Sequence, residues 1–185
     1  MQEVKVPVLS AKRAGKSGIV VRYMHNAFVD HFDCGIEDYN IKVIHINETP
    51  YMLDIEDTSS VYGHSPHAPW IEDRYYISLL ETGHVFVLLY SITSRASFDE
   101  LKTLLKCIQK AKHNKRVPLV LVGAKCDLEN QREVSQEDGR VLAEQLGCPF
   151  LECSAKTGQN VDKVFTTALT QFLEFPESKD SCIIT

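Results

Sequence analysis

The residues most able to do chemistry in this chain are Gly15, Lys16 and Ser17, which follow an apolar strand and open a helix. A glycine lets the backbone approach a phosphate, and amides of a first helical turn point at it. A lysine next to it reaches terminal phosphates, and a serine hydroxyl binds Mg²⁺. The full pattern has an earlier glycine, where this chain has Ser10. Three such residues also occur in ordinary loop-to-helix turns, and the placement after a strand favours the phosphate reading. His64 and His67 share a loop with no carboxylate or cysteine beside them, so they read as solvated rather than as metal ligands. Six cysteines show no C-x-x-C spacing, which points to free thiols in a reducing compartment.

The elements that must position this loop are legible from periodicity. Val4, Val6 and Val8 alternate, as in a strand. A helix from Lys16 to about His25 follows the loop. Residues 39–47 and 51–55 read as a hairpin around the turn 47–50. Residues 58–69 read as a loop. The apolar runs 85–89 and 119–122 suit a parallel sheet covered on both faces. Phe98, Leu101, Leu104, Leu105 and Ile108 repeat at helical spacing, with Ser97 as a candidate cap. Leu142, Ala143 and Leu146 mark a helix closed by Gly147, residues 150–151 a short strand, and Val161 to Phe172 a last amphipathic helix. The order β-α-β-β-α-β-α-β-α-β-α gives an α/β fold with helices on both faces of the sheet. Ligands of such sheets sit beyond the carboxyl ends of the strands. The loops 10–17, 57–60, 124–127 and 154–156 all follow strands, so they share one rim. Pro7 removes a hydrogen bond from the first strand, which suggests a local bulge.

Together with the first loop, Asp54-Ile55-Glu56-Asp57-Thr58, Val122-Gly123-Ala124-Lys125-Cys126-Asp127 and Glu152-Cys153-Ser154-Ala155-Lys156 resemble, in order and spacing, the motifs of the Ras family of small GTPases. Tyr90-Ser91-Ile92-Thr93 with Ser97-Phe98 resembles the Ras/Rap branch, and Ile36-Glu37-Asp38 the core of its effector segment. The resemblance covers essentially the whole chain. It implies a P-loop NTPase small G domain over residues 1–174, with a six-stranded, mostly parallel sheet, and a short tail at 175–185. It implies GTP or GDP and Mg²⁺ as ligands. Arg13, Ala14, Gly15, Lys16 and Ser17 would surround the phosphates, and Ser17 and Asp57 would hold Mg²⁺. Phe28, Lys125, Asp127, Ser154, Ala155 and Lys156 would hold the guanine, and Lys125 would also tie back to the first loop. A carboxylate at Asp127 can accept two donors of the guanine edge, a pair that adenine lacks. Phe32, Asp33, Ile36, Glu37, Asp38 and Tyr39 would meet effector proteins, and an exchange factor would be a further partner.

Several positions depart from the family pattern. Lys12 and Arg13 stand where active members have small residues beside the γ-phosphate, so they crowd the attacking water. Arg13 could alternatively lend positive charge to the phosphates. Gly35 replaces a threonine that ligates Mg²⁺, and glycine has no hydroxyl. Ser60 replaces a glycine whose amide contacts the γ-phosphate. Val61 replaces the glutamine that positions water and cannot hydrogen-bond through its side chain. Ala124 replaces an asparagine, a loss of about 1 kcal/mol of pocket hydrogen bonding. The expectation is weakened nucleotide binding, very slow hydrolysis and a blunted response to GTP.

The formal charge of −5 argues against nucleic acid as a partner. There is no signal peptide and no apolar run of membrane-span length. Cys182-Ile183-Ile184-Thr185 forms a C-a-a-X pattern, so Cys182 is a candidate prenylation site. One lipid anchors only weakly, which predicts residence on the cytoplasmic face of a membrane, such as the plasma membrane, with a cytosolic pool. Two readings compete: a guanine-nucleotide switch with slow GTPase activity, and a pseudo-GTPase adaptor presenting Ile36, Glu37 and Asp38 constitutively. A nucleotide kinase is disfavoured by Asp127 and the Ser154 turn. Extra residues after Thr58 include Pro66, Pro69 and Trp70, the last a candidate partner anchor or a pin to the core.

Overall fold

A computed structural model of the chain describes residues 1–11, 13–29, 40–57 and 74–175. The elements run β1 (Gln2–Ser10), α1 (Lys16–His25), β2 (Asn40–Ile46), β3 (Thr49–Asp57), α2 (Arg74–Thr82), β4 (Phe86–Ser91), α3 (Arg95–Ala111), β5 (Leu119–Ala124), α4 (Gln136–Leu146), β6 (Phe150–Cys153) and α5 (Val161–Glu174). A 3₁₀ turn, Glu129–Gln131, precedes α4. The six strands form one sheet in the order β2-β3-β1-β4-β5-β6. Only the β2–β3 pair is antiparallel.

Alternation along the central strands sorts their side chains into two cores. Val87 and Leu89 join Ile19, Tyr23, Phe165 and Leu169 beneath α1 and α5. Phe86, Leu88 and Tyr90 join Leu79, Leu101, Leu104 and Leu146 beneath α2, α3 and α4. Every residue of β4 and β5 is buried, because helices cover both faces. Among the described residues no helix is long and apolar enough to cross a membrane.

The strands are longer than their apolar runs. β3 begins at Thr49 because β2 and β3 pair without interruption from Asn40–Ile55 to Ile46–Thr49. The turn therefore shrinks to Asn47 and Glu48, both left-handed (φ 48° and 65°). Two consecutive positive φ values match the right-handed twist of the strands they join. Pro50 lies inside β3, not in the turn.

Pro7 makes no bulge. The β1–β3 register runs unbroken through Pro7–Glu56. Lys5, two residues earlier and so facing the same neighbour, donates its amide to His84 Nδ1 at 2.9 Å and accepts from the His84 amide at 2.9 Å. The missing donor of Pro7 thus faces the foot of β4, and the β1–β4 pairs begin one residue later, at Val8–Val87. Gly83 makes room: a Cβ there would lie 2.7 Å from Pro7 Cγ.

Ser97 is not the cap of α3. Ser94 is, its side chain accepting from the Ser97 amide. The helix starts three residues before its first apolar contact, and the Ser97 hydroxyl instead turns inward, donating to Ser94 O at 2.7 Å and accepting from the Ser91 amide at 3.0 Å. α4 opens with a capping box, Ser135 and Asp138 each accepting from the other's amide.

Gly139 lets α4 lie flush on the sheet. A Cβ there would meet Phe150 Cζ and Tyr90 Oη, both at 2.5 Å. Alanine favours a helix interior over glycine by about 1 kcal/mol, but overpacking costs about 1–3 kcal/mol. Gly139→Ala is therefore expected to lower the melting temperature by a few degrees. Combining it with Phe150→Leu should recover most of the loss, and a scan of the two variants checks both.

Candidate nucleotide site

The rim at the carboxyl ends of β1, β3, β5 and β6 collects the candidate residues. After Ser10, Arg13 takes a left-handed φ of 61° and Gly15 a φ of 104°. A side chain at Gly15 would have space, its Cβ lying 3.6 Å from Lys125 Cε. Backbone conformation therefore demands glycine there. Ala14 is buried, and its amide closes the loop on Ala11 O at 3.3 Å. Among the described residues the amides of Gly15 and Ser17 and the Ser17 hydroxyl have no partner. Such a run of unpaired donors at a helix start is suited to an anion.

Lys16 bends back over the loop. Its Nζ lies 2.6 Å from Asp57 Oδ1, with the two side chains only 10% and 15% exposed. The pair joins the first helical turn to the last residue of β3. Lys125, left-handed at φ 64°, donates from Nζ to Arg13 O at 2.9 Å. Burial lowers its pKa, and Asp127 opposes that shift. One lysine thus connects the loop after β5 to the loop after β1.

The turn after β6 is built by its own serine. Ser154 is fully buried, its hydroxyl accepting from the Thr157 amide at 3.1 Å and its carbonyl from Gly158 at 2.9 Å. Arg22 on α1 holds the next two carbonyls, with Nε to Ala155 O at 2.6 Å and Nη2 to Lys156 O at 2.8 Å. Peptide planarity then points the Lys156 amide away from Arg22. The amides of Ala155 and Lys156 have no partner among the described residues. Phe28 is 39% exposed.

Sequence reasoning overlooked Arg22 and Asn160, whose Nδ2 donates to Glu152 O at 2.8 Å. It also overlooked Arg132, paired with Glu152 at 2.7 Å and with Glu129. A charged residue on a helix or loop carries no periodic signal of what it clamps. Lys12, Phe32, Asp33, Gly35, Ile36, Glu37, Asp38, Tyr39, Ser60, Val61, His64, His67, Trp70 and Cys182 lie outside the described residues.

The profile of the Ras family matches residues 5–174. The chain belongs to the Ras family. It is similar to Ras-like protein 1 of Saccharomyces cerevisiae, 42% identical over 165 residues, which is 89% of this chain and 51% of that protein. It spans about half the length of this relative. Set against the Ras-family pattern, the structure joins Lys16 to Asp57 and Lys125 to Arg13 by direct contact. It sets Ser154, Ala155 and Lys156 against α1 through Arg22. The donor set suits a nucleotide with Mg²⁺: unpaired amides for phosphates and for a carbonyl, a serine hydroxyl and a carboxylate for the cation. Among the described residues there is no cluster of three or more His, Cys, Asp or Glu that could hold a metal by protein side chains alone.

Proposed function

We propose that this chain is a Ras-like guanine-nucleotide-binding protein of signal transduction, with slow or absent GTP hydrolysis. The observation that carries the reading is the Lys125 Nζ–Arg13 O bond of 2.9 Å. It ties the loop bearing Asp127 to the loop bearing Gly15 and Lys16, so one ligand with a base and phosphates would span both. Arg13 to Ser17 surround the phosphates. Asp127 reads the base edge, and the Ala155 and Lys156 amides face its carbonyl. Ser17 and Asp57 hold Mg²⁺, which would neutralise phosphate charge. Residues 32–39 present the effector surface. Gly35, Ser60, Val61 and the crowding by Lys12 and Arg13 support slow hydrolysis. Cys182, followed by Ile-Ile-Thr, is the proposed site of an isoprenoid that holds the protein on the cytoplasmic face of a membrane; intact-mass measurement of protein from its own cells tests it.

The adaptor reading has its own support. Lys16 and Asp57, the groups assigned to phosphate and to Mg²⁺, satisfy each other at 2.6 Å. The pair ties the loop to the end of β3 through the protein's own side chains.

Titration of the purified chain with fluorescent GDP and a non-hydrolysable GTP analogue, with and without Mg²⁺, separates the two. Mg²⁺-dependent binding is expected. Asp127→Ala should weaken GDP by about a hundredfold or more while abolishing preference over ADP, since a site built to hydrogen-bond a ligand discriminates by about 10⁴ or more. A folded sample that binds neither nucleotide leaves the adaptor.

A further inference from the structure

The chain is acidic, yet residues 101–116 hold Lys102, Lys106, Lys110, Lys112, Lys115 and Arg116 and no Asp or Glu. α3 sorts them. Leu101, Leu104, Leu105 and Ile108 face the core, and Lys102, Lys106 and Lys110, spaced by four, form one exposed stripe on the other side. The stripe continues off the end of the helix. Backbone bonds from the His113, Asn114 and Lys115 amides to Lys110, Gln109 and Lys112 carbonyls fix the connection to β5. His113 and Asn114 are both left-handed without being glycine (φ 52° and 58°), and His113, Lys115 and Arg116 are exposed.

Lys112 has a structural task, donating to Glu81 O and Gly83 O at 2.6 and 2.8 Å. The others have no ion-pair partner among the described residues. Elsewhere several arginines are paired, Arg95 with Asp99 and Asp138, Arg140 with Glu137 and Arg132 with Glu129, but nowhere else in the sequence do six basic residues fall within sixteen positions without an acid among them. Like charges spaced by four on a helix destabilise it, so an unmatched stripe has a cost in the isolated domain that an anionic partner would remove.

What lies beside the stripe identifies that partner. The Arg116 guanidinium sits 5.9 Å from the centre of the Phe175 ring, at the end of α5. A basic stripe that ends beside a half-buried aromatic ring fits the headgroup layer of a bilayer, where the charges meet lipid phosphates and an aromatic ring sits at the interface. Nucleic-acid sites also gather lysines, but the overall charge of −5 opposes a polyanion that reaches beyond this face.

We infer that the exposed face of the α3 carboxyl end and the 112–118 connection is a docking surface for an anionic lipid bilayer. It supplies from the folded domain the second membrane signal that a single lipid requires. Residues 176–185 have only Lys179 against Glu177 and Asp180 and cannot supply it themselves. The surface would set the nucleotide rim away from the membrane, because α3 runs from the rim after β4 to the opposite end of the sheet.

The test uses the full chain without isoprenoid, so that a failure of the Cys182 proposal does not affect it. Nucleotide binding is measured separately. Co-sedimentation with vesicles of phosphatidylcholine, with and without phosphatidylserine, should show binding only to the anionic vesicles, falling with added salt. Each lysine near such a surface is worth about fivefold in partition. Lys106→Gln, Lys110→Gln and Lys115→Gln combined should therefore reduce binding by about a hundredfold. Lys163→Gln on α5 should leave it unchanged, and thermal melts should confirm that both proteins fold. Equal losses in both proteins, or no loss in the triple variant, would overturn the proposal. So would binding to a duplex oligonucleotide through the same lysines with none to the vesicles.

Discussion

Lys16→Ala is expected to weaken GDP binding by about two orders of magnitude and to destabilise the free protein as well. The two effects have different causes. With nucleotide, the variant loses a charged donor to phosphate, and truncating one member of a desolvated charge pair costs about 2–5 kcal/mol, or roughly 30-fold to several thousandfold in affinity. Without nucleotide, it leaves the Asp57 carboxylate, 15% exposed, without the ammonium at 2.6 Å. An unsatisfied buried acceptor costs about 1–3 kcal/mol. Adding Asp57→Ala should recover much of the stability and none of the affinity. A double-mutant cycle with melting and GDP titration as parallel readouts separates the terms. If Lys16→Ala binds GDP like the parent, the lysine is a structural tie and the adaptor reading gains.

The scaffold was more legible in the sequence than the contacts that hold the site. Strand and helix order followed from the spacing of Val4, Val6 and Val8 and of Leu101, Leu104, Leu105 and Ile108, because burial on one face or both imposes a period. The common rim followed from that order, since parallel strands carry their following loops to one end. What failed were features with no period. Ser94 rather than Ser97 caps α3 because a cap lies ahead of the first apolar residue, by a distance set by hydrogen bonding. Pro7 was unaccounted for because its accommodation depends on Gly83, distant in sequence and informative only once β1 and β4 are neighbours. Arg22 was invisible for the same reason: its acceptors, Ala155 and Lys156, lie more than a hundred residues away. The family resemblance supplied Asp57 and Lys125 as site residues, but it assigned them to ligands. It also tied Lys125 back to the first loop, where the structure has its bond to Arg13 O; the contact of Asp57 with Lys16 came only from the fold.

Phe165→Ala should produce the largest loss of stability, and its rescue tests the function. Phe165 is fully buried on α5, and its ring stacks on Tyr23 of α1 with centroids 4.1 Å apart. Burial pushes the Tyr23 hydroxyl up to about 12, and it has no hydrogen-bond partner among the described residues. Tyr23 therefore acts here as an apolar ring. Truncating a buried phenylalanine costs about 3–5 kcal/mol through lost transfer energy and the cavity left behind. For a domain of this size that is about 10 °C in melting temperature. The cavity opens under α1, whose first turn carries Lys16 and Ser17. A ligand that binds only the folded state adds about 4 kcal/mol at a thousandfold excess over its dissociation constant. GDP with Mg²⁺ should thus restore most of the lost melting temperature, and ADP with Mg²⁺ should not. A variant destabilised as expected but indifferent to GDP would retain the fold argument and remove the nucleotide one. A variant that loses less than about 1 kcal/mol would mean that α1 and α5 repack around the missing ring, against the close packing seen between Tyr23 and Phe165.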